Sequence, residues 1–245
     1  MRCDALAFTL TLTVLYIERA FREIQMSLTL YYHPLASFCH KVLIALYENG
    51  IEFEKRVINL ADGVDRAELQ AIWPLCKFPV IRDQTRGREL PETTIIIEYL
   101  DRFFAGEHPL IPDDWEDALE VRLWDRIFDN YVQVPMQRIV SDRMRSVKGD
   151  LSSERFTLET AYAMIDQRMA SRTWVAGRGF SMADCAAAPA LFFAGAVQPF
   201  AAKFSHLRAY FDRLTDRPSY QRVIEEAKPY FSLFPFADEI PQRFR

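Results

Sequence analysis

Cysteine is scarce in this chain. Its four cysteines, Cys3, Cys39, Cys76 and Cys185, are too few and too scattered for a disulfide framework. Nor do they pair at the close spacing a zinc site needs, so no metal is expected. Such cysteine usage fits a reducing, cytoplasmic compartment. A strong charge of either sign is also missing, since 34 acidic and 30 basic side chains leave a formal charge of −4. With no polybasic run, the chain carries no electrostatic argument for nucleic acid or an anionic membrane surface as a partner. No apolar run reaches the length of a bilayer span, and no fixed-period repeat is present.

What remains is an ordinary globular composition. Half of the 245 residues are hydrophobic and 26% are charged, enough to bury one large core or two modest ones. The first residues stand apart. Ala5 to Ile17 is apolar and as long as the core of a secretory signal, yet Asp4 precedes it and no small-x-small cleavage site follows. Because a strand-like run begins just after Met26, residues 1–25 are expected to be an extension outside the fold, with a signal peptide as the alternative.

From Leu28 the pattern alternates. Leu28 to Tyr32 reads as a strand ended by His33-Pro34. Phe38 to Asn49 carries a helical stripe, and Gly50 stands where a helix C-terminus favours glycine. Phe53 to Leu60 has strand character and Asp65 to Trp73 reads as a short helix. Pro79-Val80-Ile81 opens a strand, a loop containing Gly87 turns it back through Glu89-Leu90, and Thr93 to Phe104 is helical again. The order is βαβαββα over residues 26–104, a small mixed sheet covered by helices. Residues 105–114 hold Gly106, Pro109 and Pro112 and read as a linker. Residues 115–245 are expected to be all-helical. Trp115 to Arg145 forms one long pattern with Leu119, Leu123, Ile127 and Tyr131 at steps of four, kinked near Pro135. Further helices fit Glu154–Met169, Met182–Ala196, Ser205–Leu214 and Tyr220–Lys228.

Three places suggest chemistry. The loop after Tyr32 brings Ser37 and Cys39 to a helix start, where unpaired N–H groups and the helix dipole favour an anion or a thiolate. The same serine is equally an ordinary cap. Lys77-Phe78-Pro79-Val80 puts a proline at the first residue of a strand; it is either a plain trans proline or a cis one that turns the Phe78 backbone toward a peptide ligand. Glu92 and Thr93 open a helix, either as structural start residues or as holders of an amino group and a carboxylate.

Taken together with the element order, these sites resemble the glutathione transferase superfamily in its bacterial membership, from about Leu28 to about Phe236. In the second half the matching points are Phe180-Ser-Met-Ala-Asp184 and Arg217-Pro-Ser-Tyr220. Ser181 with Asp184 three residues on is a carboxylate version of the capping box, a folding device rather than a ligand site. The resemblance implies a thioredoxin-like N-terminal domain followed by an all-helical C-terminal domain, assembled as a homodimer. It implies binding of glutathione as co-substrate by Ser37, Phe78, Pro79, Glu92 and Thr93. The reaction it implies is attack of the glutathione thiolate on a small hydrophobic electrophile, with Trp124, Phe128 and Tyr131 as candidates to line the second pocket. Ser37 and Cys39 are the catalytic candidates, and the Tyr31-Tyr32 pair is a further one. The departure from the family pattern is Ala36, which falls where the activating Ser or Cys is expected. That leaves open a reductase, isomerase or dehalogenase on the same fold, or a glutathione-binding or regulatory protein without chemistry.

Overall fold

The computed structural model describes residues 27–104, 106 and 108–245. The extension expected over residues 1–25, with its signal-peptide alternative, lies outside the described residues. Strand β1 (Leu28–Tyr32) is buried along its whole length, because it is flanked on both sides. It pairs in parallel with β2 (Glu54–Val57) and antiparallel with β3 (Val80–Asp83), which in turn pairs antiparallel with β4 (Arg88–Pro91). The strand order is therefore β2-β1-β3-β4.

Helix α1 (Ser37–Glu48) links β1 to its parallel neighbour. It ends as the glycine predicts: Gly50 takes φ 59°, Ile51 N–H reaches Leu46 O at 2.9 Å and Gly50 N–H reaches Tyr47 O at 3.3 Å. Helix α2 (Gly63–Ile72) starts earlier than the apolar pattern suggests, because Asp62 caps it from Val64 N–H at 2.8 Å and Asp65 N–H at 3.1 Å. Helix α3 (Thr93–Phe103) follows β4 directly.

From Trp115 onward the described residues contain helices and no strand. They form α4 (Trp115–Ile127), a π-helical stretch (Phe128–Gln133), α5 (Val134–Met144), α6 (Ser152–Met169), α7 (Met182–Val197), α8 (Ser205–Thr215) and α9 (Pro218–Ala227). The two halves thus give the α/β plus all-α class that the element order implied. The long helical pattern over 115–145 is thus interrupted close to Pro135. Pro135 has no N–H to give and crowds the preceding turn, and the six residues of wider π-helix end at Gln133, two residues before it.

A correction concerns the stripe of Leu119, Leu123, Ile127 and Tyr131, of which only Ile127 is buried. Leu119, Leu123 and Tyr131 are exposed, whereas Ala118, Val121, Trp124, Asp125 and Phe128 are buried. A step of four overshoots the 3.6-residue turn, so a stripe at that spacing drifts around the helix. Helix α7, buried almost throughout, is the centre against which α1, α4 and the π-helical stretch pack. Its capping box forms as read: Asp184 accepts from Ser181 N–H at 2.9 Å, from Val175 N–H at 3.2 Å and from the Tyr210 hydroxyl at 2.6 Å.

Candidate functional site

A cleft of about 230 Å³ opens where the sheet-bearing half meets α4, the π-helical stretch and α5. One wall carries Phe38, Phe78, Pro79, Glu92 and Thr93; the other carries Arg126, Asp129, Asn130 and Val134. Three local features build the first wall. Helix α1 presents its N-terminus there, with Ala36 at the cap position and no side-chain cap. The Phe78–Pro79 peptide is cis and stands immediately before β3. Glu92 has φ 69° and ψ 114°, a conformation that L-residues adopt only when their surroundings hold them there. Its side chain is exposed and caps nothing, so its carboxylate is free for a ligand at the start of α3. Helix-start N–H groups meet the same space at Thr93, where a carboxylate is favoured.

Beneath the second wall lies a buried ion network. Lys41 of α1 is within 2.5 Å of Asp125 and 2.9 Å of Asp129, and all three are buried. Arg126 pairs with Asp125 at 3.2 Å and with Asp129, and Thr94 of α3 donates to Asp125 at 2.7 Å. Two cations thus face two carboxylates, which makes the cluster neutral. Burial pushes the Asp129 carboxyl up despite Lys41 and Arg126 beside it. The cleft is consequently more polar than a core-like aromatic pocket.

The structure brings four of the expected site residues, Phe78, Pro79, Glu92 and Thr93, onto one wall. Ser37 is buried just behind Phe38, and its Oγ accepts a hydrogen bond from Gln133 Nε2. Cys39, the other catalytic candidate, lies inside the core. Its side chain is fully buried, and desolvation pushes the thiol far above the usual cysteine range, so it stays protonated. The tyrosine pair is likewise occupied elsewhere. Tyr31 accepts from Arg82 at 2.7 Å, and buried Tyr32 is pushed up to about 12 by desolvation. Trp124 and Phe128 are core residues and Tyr131 is exposed outside the cleft. Sequence reasoning missed Arg126, Asp129 and Asn130. The available signal was an Asp-Arg-x-x-Asp run inside an otherwise apolar helical pattern.

Two family models match the chain: glutathione S-transferase, N-terminal domain, over residues 36–102, and glutathione S-transferase, C-terminal domain, over residues 128–218. Glutathione S-transferase U22 of Arabidopsis thaliana is 26% identical over 58% of this chain, and the match spans 62% of the plant protein's length. FtsZ-localized protein A of Caulobacter vibrioides is also 26% identical, over 82% of this chain and 92% of its own. Among solved structures, a glutathione S-transferase of Methylobacterium radiotolerans in complex with glutathione sulfonate superposes with a TM-score of 0.70. It is 25% identical and the superposition covers 80% of this chain and 93% of that one. Among the described residues no helix is long and apolar enough to cross a membrane, and no acidic, His or Cys group is arranged to hold a metal ion.

Proposed function

Because the chain belongs to the glutathione transferase superfamily, we propose that it is a glutathione S-transferase that conjugates the glutathione thiolate to small electrophiles. The observation that carries this reading is the wall formed by Phe78, Pro79, Glu92 and Thr93 beside the N-terminus of α1. An extended tripeptide fits such a wall. Glu92 takes the γ-glutamyl amino group, Thr93 and the α3 start take its carboxylate, and the Phe78 backbone pairs with the cysteinyl unit. The sulfur then lies toward α1, where helix-start N–H groups and Ser37 stabilise the thiolate. A pKa lowered by one to two units corresponds to about 1.4–2.8 kcal/mol. The thiol proton leaves to solvent, the new S–C bond forms, and the leaving group departs with its electron pair. No covalent enzyme intermediate is needed.

The wall formed by Arg126, Asn130 and Val134 receives the electrophile. We place the protein in the cytoplasm as a homodimer. Ile95 and Phe103 of α3 and Leu119 and Leu123 of α4 are exposed apolar residues suited to a second copy. The test is calorimetric titration of the full chain with reduced glutathione. Saturable binding that weakens on Glu92→Ala supports the reading, and no binding at millimolar glutathione sinks it.

A second reading, a glutathione-binding or regulatory protein without turnover, is favoured by Ala36 and by the burial of Cys39. The likeness to FtsZ-localized protein A, whose name points to localisation rather than catalysis, also supports it. Glutathione binding without turnover of any electrophile in a broad panel would select it.

A further inference from the structure

Arg126 reaches the cleft from α4, in the helical half of the chain. Its Nη2 donates to Thr94 Oγ1 at 2.7 Å, so the guanidinium lies beside the residue that follows Thr93. Thr93 and Glu92 line the same cleft from the opposite wall. A guanidinium carries five N–H groups in one plane. Nε and Nη2 each donate to Asp125 at 3.2 Å, and Nη2 also meets Asp129. Nη1 has no hydrogen-bond partner among the described residues, and 49% of the side chain is exposed, so this nitrogen is not sealed into the buried cluster. The arginine is thus held by one edge and open at the other.

Charge decides what that open edge can take. Lys41 and Arg126 already balance Asp125 and Asp129, so the cluster as a whole neither attracts nor repels a ligand. Across the cleft the Glu92 side chain caps nothing. A ligand head with an ammonium and a carboxylate on one carbon answers both walls at once. Its ammonium meets Glu92, and its carboxylate meets Thr93, the start of α3 and the arginine. A head with only one of these charges leaves Glu92 or Arg126 without a partner.

We propose that Arg126 is a glutathione-binding residue: its Nη1 holds the γ-glutamyl α-carboxylate from the helical half while Thr93 holds it from the sheet-bearing half. This rests on the glutathione site read above and adds to it a group from the second half of the chain. Asn130 and Val134 remain as the part of that wall that meets the electrophile. Because Asp125 and Thr94 fix the guanidinium before the ligand arrives, little side-chain freedom is lost on binding.

The experiment is calorimetric titration of the full chain with reduced glutathione and with 4-aminobutanoyl-cysteinylglycine, which lacks only the α-carboxylate of the γ-glutamyl unit. Wild type, Arg126→Met and Arg126→Lys are compared. The wild type is expected to bind the analogue about thirtyfold more weakly than glutathione, and Arg126→Met only about threefold more weakly, because it has already lost about tenfold for glutathione itself. Arg126→Lys keeps the positive charge against Asp125 and Asp129 but has no second nitrogen to spare. It is expected to give the same pattern to a smaller degree, and it decides the matter if the methionine variant does not fold. Equal weakening of both peptides overturns the proposal, since a purely structural role does not distinguish them. Unchanged glutathione affinity in both variants overturns it too. A wild type that binds the two peptides equally leaves the glutathione site standing and removes this inference alone. A wild type that binds neither peptide overturns the glutathione site itself, together with this inference.

Discussion

Arg217 and Glu48 meet across the interface between the two halves, joined by two hydrogen bonds, one of them from Arg217 Nε at 2.8 Å. Ser219 adds a third donor to the same carboxylate, and the Arg217 guanidinium lies 4.0 Å over the Phe180 ring. Burial alone would raise the Glu48 pKa, but the bonds from Arg217 and Ser219 outweigh it and hold the carboxyl below its usual value. The Arg-Pro-Ser run near the C-terminus therefore works as a latch on the end of α1.

Breaking that latch is expected to loosen the whole molecule. Arg217→Ala leaves a half-buried carboxylate short of its charged donor, at about 2–3 kcal/mol. Urea unfolding checks this, and a change under about 0.5 kcal/mol would mean the latch is replaceable by water.

His40 makes stability depend on pH. Its ring is buried, its Nε2 meets Pro34 O at 2.5 Å, and desolvation lowers its pKa to about 4. The unfolded chain binds a proton near pH 6.5 and the folded one does not, so stability falls as the pH drops from about 6.5 toward about 4. Going from about pH 7.5 to about pH 5 is expected to remove about 2 kcal/mol. His40→Gln should be less stable than wild type at neutral pH, and the gap should narrow by that amount in acid. Parallel unfolding curves at the two pH values test it.

Glu92 should show function and stability pulling apart. Its positive φ suits glycine better than glutamate. Glu92→Gly is expected to stabilise the fold by about 0.5–1 kcal/mol while weakening glutathione binding about tenfold or more. Thermal unfolding and calorimetry on the same sample check both signs. A variant that loses stability as well would mean that the Glu92 side chain supports the fold directly.

Thiol accessibility separates the cysteines. Cys39 and Cys185 are buried, with desolvation raising both thiols, whereas Cys76 lies partly exposed on the loop before the cis proline. Of these three, Cys76 is expected to react with a thiol reagent in the native protein, and the other two only on unfolding. Mass mapping after a brief labelling pulse reads this directly. Prompt labelling of Cys39 would return it to the chemistry.

Much of the fold was legible because its signals are local. Leu28–Tyr32 is a β-prone run ended by His33-Pro34, Gly50 ends its helix in the left-handed region, and Asp184 stands three residues after Ser181. Each depends on neighbours within a turn or two, where spacing in sequence is spacing in space. Asp62 shows the limit of that approach: an apolar pattern sees the buried stripe of α2 but not the polar residue that starts it.

By itself, the sequence determined the order of strands and helices, the proline before β3 and the acidic-hydroxyl pair at the start of α3. Only the tertiary structure decided which side chains share the cleft and what each can do there. Lys41, Thr94 and the Asp125, Arg126 and Asp129 group lie far apart along the chain and form one neutral cluster only because α1, α3, α4 and the π-helical stretch converge. Cys39 reads as reactive at a helix start until the fold buries it. Ser37 reads as an ordinary cap until Gln133 arrives from the other half. Burial, charge pairing and the direction of a hydrogen bond belong to the environment that distant segments create, and no local pattern encodes them.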